Sequence, residues 1–160
     1  MPTPIALRTA RPSDSETLVD FNAAMALETE NLTLDRSVLS RGVRAALDDE
    51  TKGMYFVAEI DGRIVGQLMI THEWSDWRDG DIWWIQSVYT HPDHRGRGVF
   101  ASLYRHVEKI ARERGAAGIR LYVETHNAPA RATYGKLGME LAPYAIMETI
   151  FKPAGVGKGT

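Results

Sequence analysis

Apolar residues recur along this chain at two different periods, and the switching between them lays out an α/β domain. Ile5 to Arg8 suits a short strand, after which Pro12, Ser13 and Asp14 supply helix-start chemistry. Leu18, Phe21 and Met25 then fall at helical spacing. Past the polar stretch Glu28-Thr29-Glu30-Asn31, which reads as a loop, Leu39, Val43, Ala46 and Leu47 repeat that period and predict a second helix over about Asp35 to Asp49. Met54 to Ile60 and Arg63 to Thr71 are β-rich and flank Asp61-Gly62, a tight-turn pair, so they predict an antiparallel hairpin. A polar connection from Ser75 to Asp81 leads into Ile82 to Tyr89, a run so apolar and aromatic that it predicts a central strand.

Beyond Pro92 the chain passes through His94-Arg95-Gly96-Arg97-Gly98 into a segment where Phe100, Leu103, Tyr104, Val107, Ile110 and Ala111 form one apolar stripe, a third helix stopped at Gly115. Ile119 to Val123 alternates as a strand, Asn127 to Leu137 reads as a fourth helix closed by Gly138, and Tyr144 to Phe151 alternates again. The expectation is a single α/β domain over residues 1–152, a mixed and mostly antiparallel twisted sheet flanked by helices, with a flexible tail over 153–160.

Composition narrows the function classes. Hydrophobic residues are 44% and charged residues 25% of 160, enough for one real core. Lys and Arg number 19 against 21 Asp and Glu, a net charge of −2, so no global positive field argues for nucleic acid or an anionic membrane. Any anion must be held locally. Cysteine is absent, which removes disulfides, thiolate metal sites and thiol nucleophiles together. The start MPTPIALRTARPSD lacks the apolar core of a signal peptide, and no apolar stretch approaches the ~20 residues of a membrane span, so a cytoplasmic, soluble protein is expected.

The strongest local chemistry is the passage from strand through Arg95-Gly96-Arg97-Gly98-Val99 into an amphipathic helix. A glycine-rich turn at a helix start aims several unsatisfied backbone N–H groups at one point, which suits a phosphate. Each charge-assisted hydrogen bond there contributes roughly 1.5–3 kcal/mol, so a few amides can hold a pyrophosphate without a basic surface. The spacing alone also allows two glycines that merely make a tight strand-to-helix turn. A dinucleotide fingerprint fails, because Gly96 and Gly98 are followed by Ala101 where a third glycine is required. His91 and His94 lie in a proline-containing loop without helical spacing or a third ligand, so no metal is expected.

Val88-Tyr89-Thr90-His91-Pro92-Asp93-His94-Arg95-Gly96-Arg97-Gly98-Val99 resembles the acyl-CoA-binding motif of the GNAT superfamily of N-acetyltransferases, whose pattern is Q/R-x-x-G-x-G/A. Arg95 and Gly98 take its first and fourth places. Asn127 to Met139 is similar to the N-x-x-A-x-x-x-Y-x-x-x-G-F/M segment that follows in that family. The departure is Phe100 at the last place of the first motif, where the family has Gly or Ala.

The resemblance implies acetyl-CoA as cosubstrate. Val88 and Tyr89 would offer backbone groups to the pantetheine, and Arg95, Gly96, Arg97, Gly98, Val99 and Phe100 would surround the pyrophosphate. Asn127 and Ala130 would lie on the pantetheine arm, with Asn127 equally suited to a plain helix N-cap. Tyr134 would protonate the leaving thiolate: a phenol of pKa about 10 can donate to a thiolate whose acid lies near 8.5. Many relatives have a glutamate base where this chain has Gln86, an amide that can only position a water or the amine. Glu28, Glu30, Glu73 and Trp84 are expected around a cationic acceptor amine, by ion pairing and cation–π attraction.

Three functions are compatible with these residues. The leading one is direct transfer of an acetyl group to a small-molecule or peptide amine in a ternary complex, consistent with the lack of a cysteine relay. The others are a non-catalytic acyl-CoA-binding module, which Phe100 favours, and an interaction protein or homodimer built on the aromatic strand.

Overall fold

The computed structural model describes residues 3–158. In chain order the elements are β1 (Ala6–Thr9), a short 3-10 turn (Pro12–Asp14), α1 (Ser15–Glu30), β2 (Leu32–Leu34), α2 (Arg36–Asp48), β3 (Met54–Ile60), β4 (Arg63–Ser75) and β5 (Gly80–Thr90). A second 3-10 turn (Pro92–His94) precedes α3 (Val99–Glu113), β6 (Gly118–Leu121), α4 (Ala128–Lys136) and β7 (Gly155–Lys158).

Local chemistry accounts for the element ends. Asp35 caps α2, its Oδ1 accepting from the Ser37 and Val38 amides at 2.9 and 3.1 Å. Between β3 and β4, Asp61 and Gly62 both take positive φ, 52° and 74°, the mirror-image turn whose twist matches a hairpin. α1 ends on Asn31 in the left-handed region.

The main sheet has the order β1-β3-β4-β5-β6, antiparallel throughout except for the parallel β5–β6 pair, which α3 connects. Because β3 is covered on both faces, its alternate side chains enter two cores. Phe56, with Leu68, Ile70, Trp83 and Ile85 of the neighbouring strands, packs against Leu103 and Val107 of α3. Tyr55 and Val57 point the other way, against Leu18 and Val19 of α1 and Val43 and Ala46 of α2.

Three expectations are corrected. The loop between the first two helices contains β2. Its partner is β7, so Gly155–Lys158, expected to be loose, forms an antiparallel pair with Leu32–Leu34. Gly159 and Thr160, also assigned to the tail, lie outside the described residues. Tyr144 to Phe151, whose alternation predicts a strand, has no strand partner among the described residues, and every residue of it is exposed. A period-2 pattern states which faces a strand would have, whereas forming one needs a neighbouring edge.

Candidate active site

β5 and β6 pair only from Ile82 to Ile85, opposite Gly118 to Leu121. β5 continues to Thr90, hydrogen-bonded among the described residues to β4 alone, so the backbone of Gln86 to Thr90 faces an opening between the two strands. A bulge shapes this stretch. Ser87 takes a φ of 51°, and the register slips so that Ser87 and Val88 together oppose Leu68. As a result Val88 joins Trp83 and Ile85 on the α3 face, while Tyr89 turns to the α1 face, its ring 4.9 Å from Phe21.

The bulge is held from below by residues that the sequence reading missed. Gln67, fully buried in β4, donates from Nε2 to the Ser87 carbonyl at 3.0 Å. Asn22 of α1 donates to the Tyr55 hydroxyl at 3.2 Å, and Ser87 hydrogen-bonds the same hydroxyl. Burial pushes the Tyr55 pKa up, so this hydroxyl stays a neutral support. The signal was present: Gln86-Ser87 interrupts the alternation that Trp83 and Ile85 begin, and Gln67 is a lone amide in an apolar run.

At the end of β5 the glycine-rich loop enters α3. Gly96 and Gly98 have φ of 76° and 78°, and a Cβ built at either meets nothing within 4 Å. Gly98 is the N-cap, and the first hydrogen bond into the helix runs from Ser102 N–H to its carbonyl. Among the described residues the amides of 96–101 therefore have no hydrogen-bond partner, in front of open space. Val99 sends its side chain into the core, 2% exposed, leaving only its backbone outside. These donors and this space fit a pyrophosphate. Arg97 is exposed. Arg95 is tied down: its guanidinium donates to the Glu28 carboxylate at 2.8 Å and to the Thr90 carbonyl at 3.0 Å, and lies 5.4 Å from the Tyr89 ring centre.

Phe100, the departure from the motif, leans away from the loop. It packs against the core, and its ring meets that of Tyr134 edge-on at 5.6 Å. That contact sets α4 beside the first turn of α3. Tyr134 is half-buried, and burial raises its pKa above the ordinary 10, keeping the phenol protonated. Asn127 caps α4, its Oδ1 accepting from the Ala130 amide at 3.1 Å, which leaves its NH₂ group available.

The sheet face opposite α3 gathers a second set. Gln86 donates from Nε2 to Thr71 Oγ1 at 2.5 Å, so its Oε1 is presented as an acceptor. Trp84 stacks on Tyr122 of the segment after β6, ring centres 4.6 Å apart. Glu73 accepts from Arg120 at 3.1 Å, across β5. The structure thus brings Gln86, Trp84 and Glu73 onto one face. It puts Glu28 instead at the loop, engaged with Arg95, while Glu30 is exposed at the end of α1. Among the described residues no group of three His, Cys, Asp or Glu is placed to hold a metal. No helix among them is long and apolar enough to cross a membrane.

The sequence profile of the acetyltransferase (GNAT) family matches residues 21–139, from α1 through α4. The chain belongs to that family. A possible acetyltransferase from Clostridium difficile 630 has the same fold, with a TM-score of 0.86 and 42% identity over 93% of this chain and 99% of its own. Streptothricin acetyltransferase of Streptomyces lavendulae is 29% identical, aligned over 82% of this chain and 79% of its own. The Escherichia coli enzyme of the same name is 33% identical over 59% of this chain, an alignment that spans 51% of its length.

For this GNAT protein the match covers the opened strand, the glycine loop and the tyrosine helix as one continuous unit. It also covers Gln67, Ser87 and Phe100, so the bulge and its supports lie inside the family region.

Proposed function

We propose that the protein transfers the acetyl group of acetyl-CoA to a primary amine by direct attack within a ternary complex. The observation that carries this reading is the ring contact between Phe100 and Tyr134, which sets a protonated phenol beside the helix start whose unpaired amides suit a pyrophosphate. A CoA molecule with its pyrophosphate on the amides of 96–100 and its pantetheine along the open edge of Val88 and Tyr89 would bring its thioester between β5 and α4. Asn127 would add a hydrogen bond to that arm through its free NH₂ group, with Ala130 beside it.

In the reaction the amine nitrogen attacks the thioester carbonyl, the C–S bond breaks, and the thiolate takes the proton of Tyr134 Oη. The amine must first be neutral. Gln86 is no base, but its Oε1 can accept a hydrogen bond from the amine or from a water that removes the proton. An alkyl amine of pKa about 10.4 gives up roughly 4.6 kcal/mol to be neutral at pH 7, whereas an α-amine of pKa about 7.7–8.0 gives up only about 1–1.4 kcal/mol. Glu28 and Glu73 are both ion-paired, so neither is an unencumbered base, and this favours an acceptor of lowered pKa. Trp84, Tyr122 and Glu73 form the face on which such an amine would sit.

Thiol release from acetyl-CoA with a panel of amines tests the activity, and calorimetric titration with CoA tests the loop. Release above hydrolysis is expected with at least one amine. CoA fragments lacking the pyrophosphate should bind far more weakly than CoA; equal binding would remove the loop from the site. CoA binding without release by any amine would favour the non-catalytic module.

A further inference from the structure

Two left-handed glycines give the loop ahead of α3 little stiffness of its own. Gly96 and Gly98 stand on either side of Arg97 at φ of 76° and 78°, a conformation that glycine adopts at no steric cost but exchanges freely for others. The side chain of Arg95, just before them, supplies what the backbone lacks. Its Nε donates to the Thr90 carbonyl at 3.0 Å, closing the turn that carries the chain out of β5, and its Nη2 donates to the Glu28 carboxylate at 2.8 Å. The same guanidinium hydrogen-bonds the Tyr89 hydroxyl, and its carbon lies 5.4 Å from the centre of that ring. Tyr89 in turn rests on Phe21 of α1. One cation thus ties the loop back to both β5 and α1.

Glu28 is placed against the interest of its own helix. It lies in the last turn of α1, at the negative end of the helix dipole, and that turn holds no basic residue to offset it. A carboxylate there disfavours the helix locally. What it gains is the ion pair with Arg95, 67 residues away. Arg97 is the opposite case: it is exposed between the two glycines, with no hydrogen-bond or ion-pair partner among the described residues.

We propose that Arg95 and Glu28 are a positioning pair, which holds the glycine-rich loop in the shape that receives the pyrophosphate of CoA, while contact with the phosphates falls to the backbone amides and Arg97. Their role presupposes the CoA binding proposed above. Two arginines of one motif then act differently, and a carboxylate favours the binding of an anion. Acting directly, Glu28 repels phosphate, a weak effect between exposed charges in salt. Acting through Arg95, it removes in advance the loop freedom that binding would otherwise have to remove.

Calorimetric titration with CoA tests the sign of the effect. Glu28→Gln should weaken CoA binding roughly three- to tenfold by releasing Arg95, Arg95→Ala by a similar factor, and the double variant by no more than Arg95→Ala alone, because a pair acting as one unit is not additive. Arg97→Ala should weaken binding and also flatten its salt dependence, which Glu28→Gln leaves as it is. An exposed ion pair adds little to global stability, so unliganded Glu28→Gln should melt within a few degrees of the wild type. A large fall in that melting temperature would make the pair a general support of the fold and overturn the proposal. Tighter or unchanged CoA binding by Glu28→Gln, or additive losses in the double variant, would overturn it as well.

Nitrogen NMR of the Arg95 Nε–H in the free protein gives a readout that needs no CoA. The signal should be sheltered from fast exchange in the wild type and broaden in Glu28→Gln. A wild type that binds no CoA would sink the acetyltransferase reading, and the pair would then stand or fall on this signal. Its persistence unchanged in Glu28→Gln would show that Glu28 does not hold Arg95.

Discussion

Tyr134 and Phe100 illustrate how one side chain sets the chemistry of another. The bulky residue at the end of the glycine motif supplies the face against which the tyrosine ring rests, and the same burial raises the phenol's pKa. Tyr134→Phe keeps the ring contact and deletes only the hydroxyl. The fold and CoA affinity should survive while kcat falls by roughly 10²–10⁴, the usual effect of losing a general acid. The sign of the shift makes a second forecast. A raised pKa keeps the acid form present at neutral pH, so the alkaline fall of the wild-type kcat should lie above pH 10. A pH–rate profile checks this, and a fall centred well below pH 10 would assign the proton to another group.

Among the elements, the junction of β4, β5 and α3 positions the glycine-rich loop, and two of its glycines act for different reasons. Gly98 needs a φ of 78° and stands before open space. Gly98→Val strains the left-handed cap by roughly 1–2 kcal/mol and puts a side chain where a phosphate would approach. CoA affinity should fall by at least about tenfold, a loss of about 1.4 kcal/mol by the same arithmetic of binding constants. Gly66 in β4 is a matter of space. A Cβ there would stand 2.5 Å from Val99 Cγ1, a stiff side chain 2% exposed, with the Tyr89 carbonyl at 3.4 Å. Gly66→Ala should therefore lower stability by about 1–3 kcal/mol, as overpacking does. Thermal melts with and without CoA separate the two: Gly98→Val loses chiefly the ligand-induced rise, Gly66→Ala the unliganded melting temperature.

Stability of the molecule as a whole depends on a charge network that pins the chain's start to the sheet. Arg8 of β1 bonds Glu59 of β3 and also Asp14, at 2.7 Å, while the Arg11 amide donates to the same Asp14 carboxylate. Arg8 holds the buried Asp14 carboxyl below its ordinary 3.8. Below pH 3.8 the unfolded chain takes up a proton that the folded chain refuses, so this stability is lost as pH falls through the folded pKa. Asp14→Asn should cost about 2 kcal/mol at neutral pH, in the range for a charged hydrogen bond, and should flatten the acid limb. Urea midpoints at neutral and acid pH measure both effects. At the other extreme, burial raises the pKa of Tyr55 and Tyr104, so stability should decline as pH rises past 10.

Periodicity and capping chemistry were enough to read most elements. Asp61-Gly62 marks a hairpin because both residues tolerate positive φ, Asp35 marks a helix start because its carboxylate satisfies free amides, and Gly98 marks the loop because the helix entry there is left-handed. These are local forces, acting within a few residues. The order of the motifs was enough to identify the acetyltransferase family, and it named Tyr134, Asn127 and the glycine loop as candidates. What a linear reading lacks is the identity of partners distant in the chain. Glu28 looked like a free carboxylate until the fold set it against Arg95, 67 residues away, and Glu73 until it met Arg120. Ser87 shows itself as a bulge only where β5 is laid against β4. Tyr144 to Phe151 carries the pattern of a strand and yet forms none, because a strand's backbone is satisfied only by another strand's edge. Side-chain faces are written in the order of residues; edges, registers and ion pairs arise only when the sheet is assembled.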